Sequence, residues 1–283
     1  MSDPQVWLIT GASTGFGAAL VKSLLVRGEK VIATARTLSK IEHLGKLGAA
    51  TLQLDVTAST AELEKIAREA IAVYGRIDVL VNNAGYGHFG TFEEATHQDW
   101  LAQFNTNVFG AVNVTRSFLP HFRSNKSGTV VFNGSATAIN GFGILSLYSA
   151  SKFALTGVAE SLAQEVAPFG IRTLIVQPGL FRTDFLTETN TTYSGTKIDG
   201  YQTQVDEAFK LYKGVSGQQP GDPIKGANRI IDMVKGEGLA KGKDLPTTLM
   251  LGEDSWGMAK KKAEDQLKLL SQWEEASCNL SFE

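Results

Sequence analysis

The chain has 283 residues, with 27 basic and 29 acidic side chains for a formal net charge of −2, and 43% of it is hydrophobic. At about 150 residues per domain the length fits one large or two ordinary domains, and the composition provides ample material for a core. Near-neutral charge, with no basic cluster beyond the lysines at 260–262, argues against general nucleic-acid binding, and no run of about eighteen apolar residues predicts a membrane span. The N-terminal stretch has no basic segment, and strand-like sequence over 5–10 leaves no room for a signal peptide. A single cysteine, Cys278, provides neither an internal disulfide nor a thiolate cluster. A reducing, cytoplasmic location is therefore expected, and the Asn-x-Ser/Thr matches at Asn113, Asn125, Asn133, Asn190 and Asn279 read as chance.

The hydrophobic period alternates along the chain. Val6-Trp7-Leu8-Ile9 is a short apolar run, followed by glycine-rich sequence and an amphipathic stretch over 18–27. Val31-Ile32-Ala33 reads as a second strand, and 50–54 as a third. Helical spacing returns over 61–74 through Leu63, Ile66, Ala70 and Val73, then a fourth strand over 77–81. A long helix is predicted over 98–122, strands over 128–132 and 171–176, and a helix over 149–167 between them. Short apolar runs separated by helix-length segments predict a doubly wound parallel α/β sheet. Residues 179–222 break the pattern and read as a long loop without a clean strand, placed as a substrate lid. Helices over 223–235 and 255–273 follow, with a strand over 247–251 between them. On the last helix Trp256, Ala259, Ala263, Leu267, Leu270 and Trp273 share one face, which predicts core packing or a subunit contact.

Between the first strand and first helix lies Thr10-Gly11-Ala12-Ser13-Thr14-Gly15-Phe16-Gly17. This Gly-x-x-x-Gly-x-Gly spacing suits a tight turn, close backbone approach to a diphosphate, and helix N–H groups aimed at anionic oxygens. Past the second strand, where an acid would hold a ribose 2′-hydroxyl, the sequence has Arg36 instead. A guanidinium there can bind a 2′-phosphate by charge-assisted hydrogen bonds, so NADP(H) is the expected cofactor.

Tyr148 and Lys152 lie four positions apart in a predicted helix and so share a face. A phenol titrates near 10, and a neighbouring ammonium is expected to lower it toward neutrality. Ser135 lies just past a strand end, where open α/β sheets gather their sites, and can donate to a carbonyl oxygen. Asn82-Asn83-Ala84-Gly85 ends the preceding strand in the same way. Asn105-Thr106-Asn107 puts amides inside an otherwise apolar helix, where each needs a hydrogen-bond partner.

Together, the glycine loop, Asn82-Asn83-Ala84-Gly85, Ser135, Tyr148-x-x-x-Lys152 and Pro178-Gly179 resemble the short-chain dehydrogenase/reductase family over about residues 5–185. The tail, with Leu249-Met250-Leu251-Gly252 and the following helix, resembles the branch of retinol and hydroxysteroid dehydrogenases. The resemblance implies a Rossmann-type, three-layer αβα single domain over 1–283, with the lid over 179–222 and a helical extension over 253–283. It implies interconversion of a ketone or aldehyde with an alcohol. Tyr148 is then the general acid/base, Ser135 the group polarising the substrate carbonyl, Lys152 the partner of tyrosine and ribose, and Asn107 the support of a proton relay. The same resemblance assigns Gly11, Ser13, Gly15, Phe16, Gly17, Arg36, Asp55, Asn83, Ala84, Gly85, Pro178, Gly179 and Thr183 to the cofactor. Thr14 departs from the basic residue that NADP-preferring members often carry in the loop. No metal is expected, and a homodimer or homotetramer is implied, paired through the long fourth and fifth helices.

The lid aromatics Phe181, Phe185, Tyr193, Tyr201, Phe209 and Tyr212, with Leu186, line a pocket for an apolar substrate or pack the lid onto the core. Phe142, Leu145 and His88 are further candidates for its wall. Two alternatives stand beside simple carbonyl reduction: a non-catalytic NADP(H)-binding redox sensor, and a biosynthetic reductase that couples reduction to isomerisation or cyclisation.

Overall fold

The computed structural model describes residues 3–282, so residues 1, 2 and 283 of the expected domain lie outside the described residues. β1 (Val6–Ile9) has four buried apolar side chains in succession, as a strand covered on both faces requires. It leads through the glycine turn into α1 (Gly15–Val26) and then β2 (Lys30–Ala35). A single-turn α2 (Glu42–Gly45) and β3 (Ala50–Gln53) follow. α3 (Thr60–Tyr74) starts where the Ser59 hydroxyl accepts the Glu62 N–H and ends at Gly75, whose φ of 77° suits glycine.

β4 (Val79–Asn82) and a short β5 (Gly87–Phe89) come next. α4 (His97–Phe104) opens on a capping box of Thr96 and Asp99 and passes through a π-helical turn (Asn105–Gly110) into α5 (Ala111–Asn125). β6 (Gly128–Asn133), α6 (Ser146–Val166) and β7 (Ile171–Pro178) complete the alternating part. The rest contains β8 (Thr191–Tyr193), α7 (Gln202–Val215), α8 (Pro223–Lys235), β9 (Thr248–Leu251) and α9 (Glu253–Ser277).

Seven strands form one parallel sheet in the order β3-β2-β1-β4-β6-β7-β9. From β1 the chain winds outward through β2 and β3, then returns to β1's other side as β4. That reversal opens a crevice at the carboxyl ends of β1 and β4, where doubly wound sheets bind ligands. One apolar core lies beneath α1 and α8 and includes Trp7, Leu20, Leu24, Ile230 and Ile231. The opposite core lies beneath α3, α5 and α6 and includes Leu63, Phe118, Phe122 and Leu155. This is the Rossmann-type αβα fold expected from the alternation.

Two differences from the sequence reading bear on the site. The long fourth helix is continuous but carries the π turn, in which Gly110 backs onto Val56 so closely that a Cβ would lie 2.8 Å from Val56 Cγ2. The supposed strandless loop over 179–222 instead holds the three-residue β8, paired in parallel with β5, and the fourteen-residue α7. Val205, Phe209 and Tyr212 supply helical spacing, and their cluster with Phe89, Leu145 and Leu186 stabilises a segment whose composition reads as irregular. Replacing Gly110 by valine must push α5 from Val56, so Gly110→Val is expected to lower unfolding free energy by ~1–3 kcal/mol in denaturant titrations.

Candidate active site

The crevice begins with the glycine turn. Gly11 and Gly15 sit at φ 63° and 57°, in the left-handed region that favours glycine. Gly17 is required for a different reason: a Cβ there would lie 2.6 Å from Asn83 Nδ2 and 2.9 Å from Ala12 Cα. The first turn of α1 has neither an acidic residue nor a side-chain cap, so its N–H groups are left for a ligand.

Thr10 and Asn83 lock this turn to the end of β4. The Thr10 hydroxyl accepts the backbone N–H groups of Asn83 and Ala84 at 2.9 and 3.0 Å. The Asn83 amide donates to the Thr10 and Gly11 carbonyls, both at 3.0 Å, while its oxygen accepts from Asn133 at 2.9 Å. Thr10 and Asn133 were missed in the sequence reading; each is a polar residue closing an apolar strand, the signal that had drawn attention to Asn82 and Asn83.

Lys152, 5% exposed, points from α6 to the same junction and donates its ammonium to the Asn133 carbonyl at 2.6 Å. Burial pushes its pKa down to about 8. The Lys152 ammonium lies 5.7 Å from the Tyr148 ring centre. Tyr148 is itself buried, and loss of solvent pushes its pKa up to about 12, against a smaller opposing pull from the Ser135 hydroxyl. The expected lowering toward neutrality does not appear, because burial outweighs any pull from Lys152 and holds each group toward its neutral form. Ser135 stands in extended conformation at the end of β6, and its oxygen also accepts the Thr137 N–H at 3.1 Å.

Asn107 lies in the π turn, 1% exposed. Its oxygen accepts the Tyr86 N–H at 3.1 Å, and its nitrogen donates to the Tyr86 carbonyl at 3.0 Å and Ser151 at 3.1 Å. The amide thus clamps the loop after β4 onto α6. Gly85 fits between these groups: a Cβ would lie 3.1 Å from the Asn107 oxygen and 3.8 Å from the Lys152 ammonium.

These residues border one cleft of about 750 Å³, within the ~300–1,000 Å³ usual for small-molecule sites. Ser13, Phe16, Arg36, Asp55, Asn83, Ala84, Gly85, Pro178, Gly179 and Thr183 line it with Gly11, Gly15, Ser135, Tyr148 and Lys152. Gly17 and Asn107 lie behind that lining and support it. Arg36 is exposed at the rim, and its guanidinium donates no hydrogen bond among the described residues. Asp55 accepts from the Thr57 N–H and hydroxyl at 2.9 and 2.7 Å. On the opposite wall, a Cβ at Gly179 would fall on the Asp254 carboxylate, which accepts the Leu180 N–H at 2.7 Å.

The lid supplies the apolar end. Phe185 packs 5.2 Å from Tyr148, and Tyr212 packs 5.1 Å from Phe89. These two rings join Phe142, Leu145 and Leu186 in the cleft wall, whereas Tyr193, Tyr201 and Phe209 pack the lid together. His88 is not in the cleft wall: its Nε2 shares a hydrogen bond with Ser194 Oγ at 2.8 Å and fastens β5 to the lid. Among the described residues no cluster of three or more His, Cys, Asp or Glu is placed to hold a metal.

A family model described as short chain dehydrogenase matches residues 5–194. The chain belongs to the short-chain dehydrogenase family. With membership comes oxidoreductase chemistry. The chain is similar to Oxidoreductase BOA17 of Botryotinia fuckeliana, 35% identical over 96% of this chain and 98% of that one. Human Retinol dehydrogenase 8 is 33% identical over 82% of this chain and 79% of its own. A crystal structure of a short-chain dehydrogenase from Streptomyces avermitilis superposes with TM-score 0.86 at 37% identity, over 98% of both chains. Solved structures of the same fold carry bound NAD(H) or NADP(H).

Burial of Lys152 carries a stability signature. The folded chain holds fewer protons than the unfolded chain between pH 8 and 10.5, so this group's contribution rises with pH across that window. Below it, the buried charge costs ~3 kcal/mol from the shift alone, part of which the Asn133 hydrogen bond offsets. Lys152→Met is expected to gain ~1–3 kcal/mol at pH 7 in denaturant titrations, and to lose that gain as pH approaches 10.5.

Proposed function

We propose that the protein is an NADP(H)-dependent oxidoreductase that interconverts a ketone or aldehyde and an alcohol on a fairly apolar small molecule. The observation that carries this reading is the convergence of Ser135, Tyr148 and Lys152 on the glycine-lined cleft, beneath a lid wall of aromatic and aliphatic side chains.

The residues present fit a dinucleotide. Gly11, Gly15 and Gly17 leave a cradle that a Cβ would fill, and the α1 N–H groups face it with Ser13 and Phe16. In this reading Arg36 holds a 2′-phosphate, Asp55 the adenine, and Asn83, Ala84 and Gly85 the adenosine ribose region. Lys152 takes the nicotinamide ribose, and Pro178, Gly179 and Thr183 the carboxamide end. When bound, the nicotinamide supplies or accepts the hydride.

The chain's own groups manage the oxygen and its proton. Ser135 donates to the carbonyl oxygen and orients it toward the phenol. In reduction Tyr148 releases its proton to that oxygen as negative charge develops there, and the pKa of about 12 keeps the phenol protonated beforehand. In oxidation the phenolate must form in a desolvated site, and the nearby Lys152 ammonium lowers that cost. Asn107 holds the Tyr86 loop against α6, beside the Lys152 ammonium, and supports the path by which the proton is replaced.

A homodimer or homotetramer through the continuous α4–α5 helix and α6 accompanies this reading. Exposed Leu101 and Phe109 lie on that helical stretch, where Trp100 and Phe104 pack at 6.2 Å between ring centres. The lone exposed Cys278 supports a cytoplasmic location, and no described helix is long and apolar enough to cross a membrane.

Two measurements test the assignment. Tyr148→Phe is expected to reduce NADPH oxidation over a carbonyl panel by ~10³-fold or more, while dinucleotide binding followed by fluorescence persists. Equal rates in the variant overturn Tyr148 as the acid. Arg36→Ala is expected to raise the KM for NADPH about 10- to 100-fold and leave that for NADH within about twofold. Equal effects on both overturn the 2′-phosphate contact.

A further inference from the structure

Among the described residues, α9 is held to the domain through its first two turns. Asp254 accepts the Leu180 N–H at 2.7 Å, and buried Ser255 donates to the Gln177 carbonyl at 2.6 Å. Every residue from Lys260 to the end of the helix is exposed. That stretch is about 27 Å long at 1.5 Å per residue, and most helical stability in proteins comes from packing of an amphipathic face.

Its sequence does not suit a free helix. Trp256, Ala259, Ala263, Leu267, Leu270 and Trp273 recur at three- and four-residue intervals along one stripe. Trp256 is 60% exposed, Leu267 66%, Leu270 64% and Trp273 54%, so the core-packing alternative for this face fails. A local bend at Trp273 ends the regular part of the stripe. Four lysines stand against six carboxylates in α9, a net charge of −2 that opposes an anionic lipid surface.

The charges are unevenly distributed. Lysines occupy 260–262, and Glu274 and Glu275 lie near the other end. An antiparallel copy with the two-fold axis beside Leu267 brings Lys260 opposite Glu274 of the second copy. The same register brings the two Leu267 side chains together and sets the small Ala263 within one residue of the large Leu270 of the second copy. A parallel copy would align lysines with lysines and glutamates with glutamates.

We propose that α9 pairs antiparallel with α9 of a second copy of this chain, burying the stripe centred on Leu267 and Leu270. This contact is separate from the α4–α5 helix and α6 and does not depend on the catalytic reading. Since the first turn of α9 also holds the Pro178-Gly179-Leu180 wall, the paired helices brace one side of each cleft.

Sedimentation of the full chain tests it, because substitutions on an exposed face leave the protomer fold intact. Leu267→Glu with Leu270→Glu is expected to drop the assembly by one step, tetramer to dimer or dimer to monomer. Lys260→Glu is expected to raise the dissociation constant about tenfold, and adding Glu274→Lys to restore it. In a Cys278→Ser background, Leu267→Cys is expected to cross-link to itself under mild oxidation, while Cys278 of the unaltered chain does not. A monomeric unaltered chain, an assembly indifferent to the double glutamate variant, or ready Cys278 self-cross-linking overturns the proposal. Monomers that co-sediment with phosphatidylcholine vesicles through this stripe overturn it as well.

Discussion

Among the described residues the buried Lys152 ammonium donates to a single backbone carbonyl, that of Asn133. A charge so placed is costly, and it persists only where neighbouring elements fix its position. Here α6 presents Lys152, β6 ends at the accepting carbonyl, and Asn133 in turn donates to Asn83. Asn83 and Thr10 then fasten the glycine turn to β4. The glycine turn, the end of β4 and Lys152 are thus one hydrogen-bonded unit at the sheet's reversal point. A shift of β4 against β1 would disturb all three together.

Burial also explains why Tyr148 and Lys152 depart from the simple picture of a cation acidifying a phenol. Both lose solvent, so the phenol is pushed up and the ammonium down. The two tendencies converge on a neutral pair near the upper end of the physiological range. Moving the Tyr148 proton therefore requires stabilisation of the phenolate by its surroundings. Ser135 supplies one bias, since its hydroxyl already favours the phenolate. The site's low dielectric makes any further charge at the substrate oxygen count heavily.

Much of this was legible in the sequence, because the signals were local. Alternating apolar runs gave the doubly wound sheet, and Pro223 through Lys235 matches α8, capped by Asp222 with proline at the first helical position. Gly11, Ser135, Tyr148 and Lys152 were readable because each sits at a strand end or on a helix face of known period. Thr10 and Asn133 were not, since their roles arise from contacts 73 and 50 positions away in the chain. The π turn was hidden for the same reason: it depends on Gly110 meeting Val56 and on Asn107 reaching Tyr86. In the lid, polar composition masked α7, whose helix is stabilised by its cluster with Phe89 and Leu145. Propensity yields there to tertiary packing.

The lid's attachment separates two tasks that the cleft must perform together. β5 and β8 pair through three residues, and His88 fastens the same junction to Ser194. On its inner side Phe89 contacts Tyr148, Tyr193 and Tyr212. Every catalytic candidate lies outside this lid, on or behind rigid sheet and helix ends. Most of the apolar wall lies on the lid, joined to the scaffold by one small sheet and an aromatic cluster. Substitutions at Leu186 or Tyr212 can therefore change which molecules fit without moving Ser135, Tyr148 or Lys152. A fold of this kind can retain its scaffold while the molecule that fits the cleft changes.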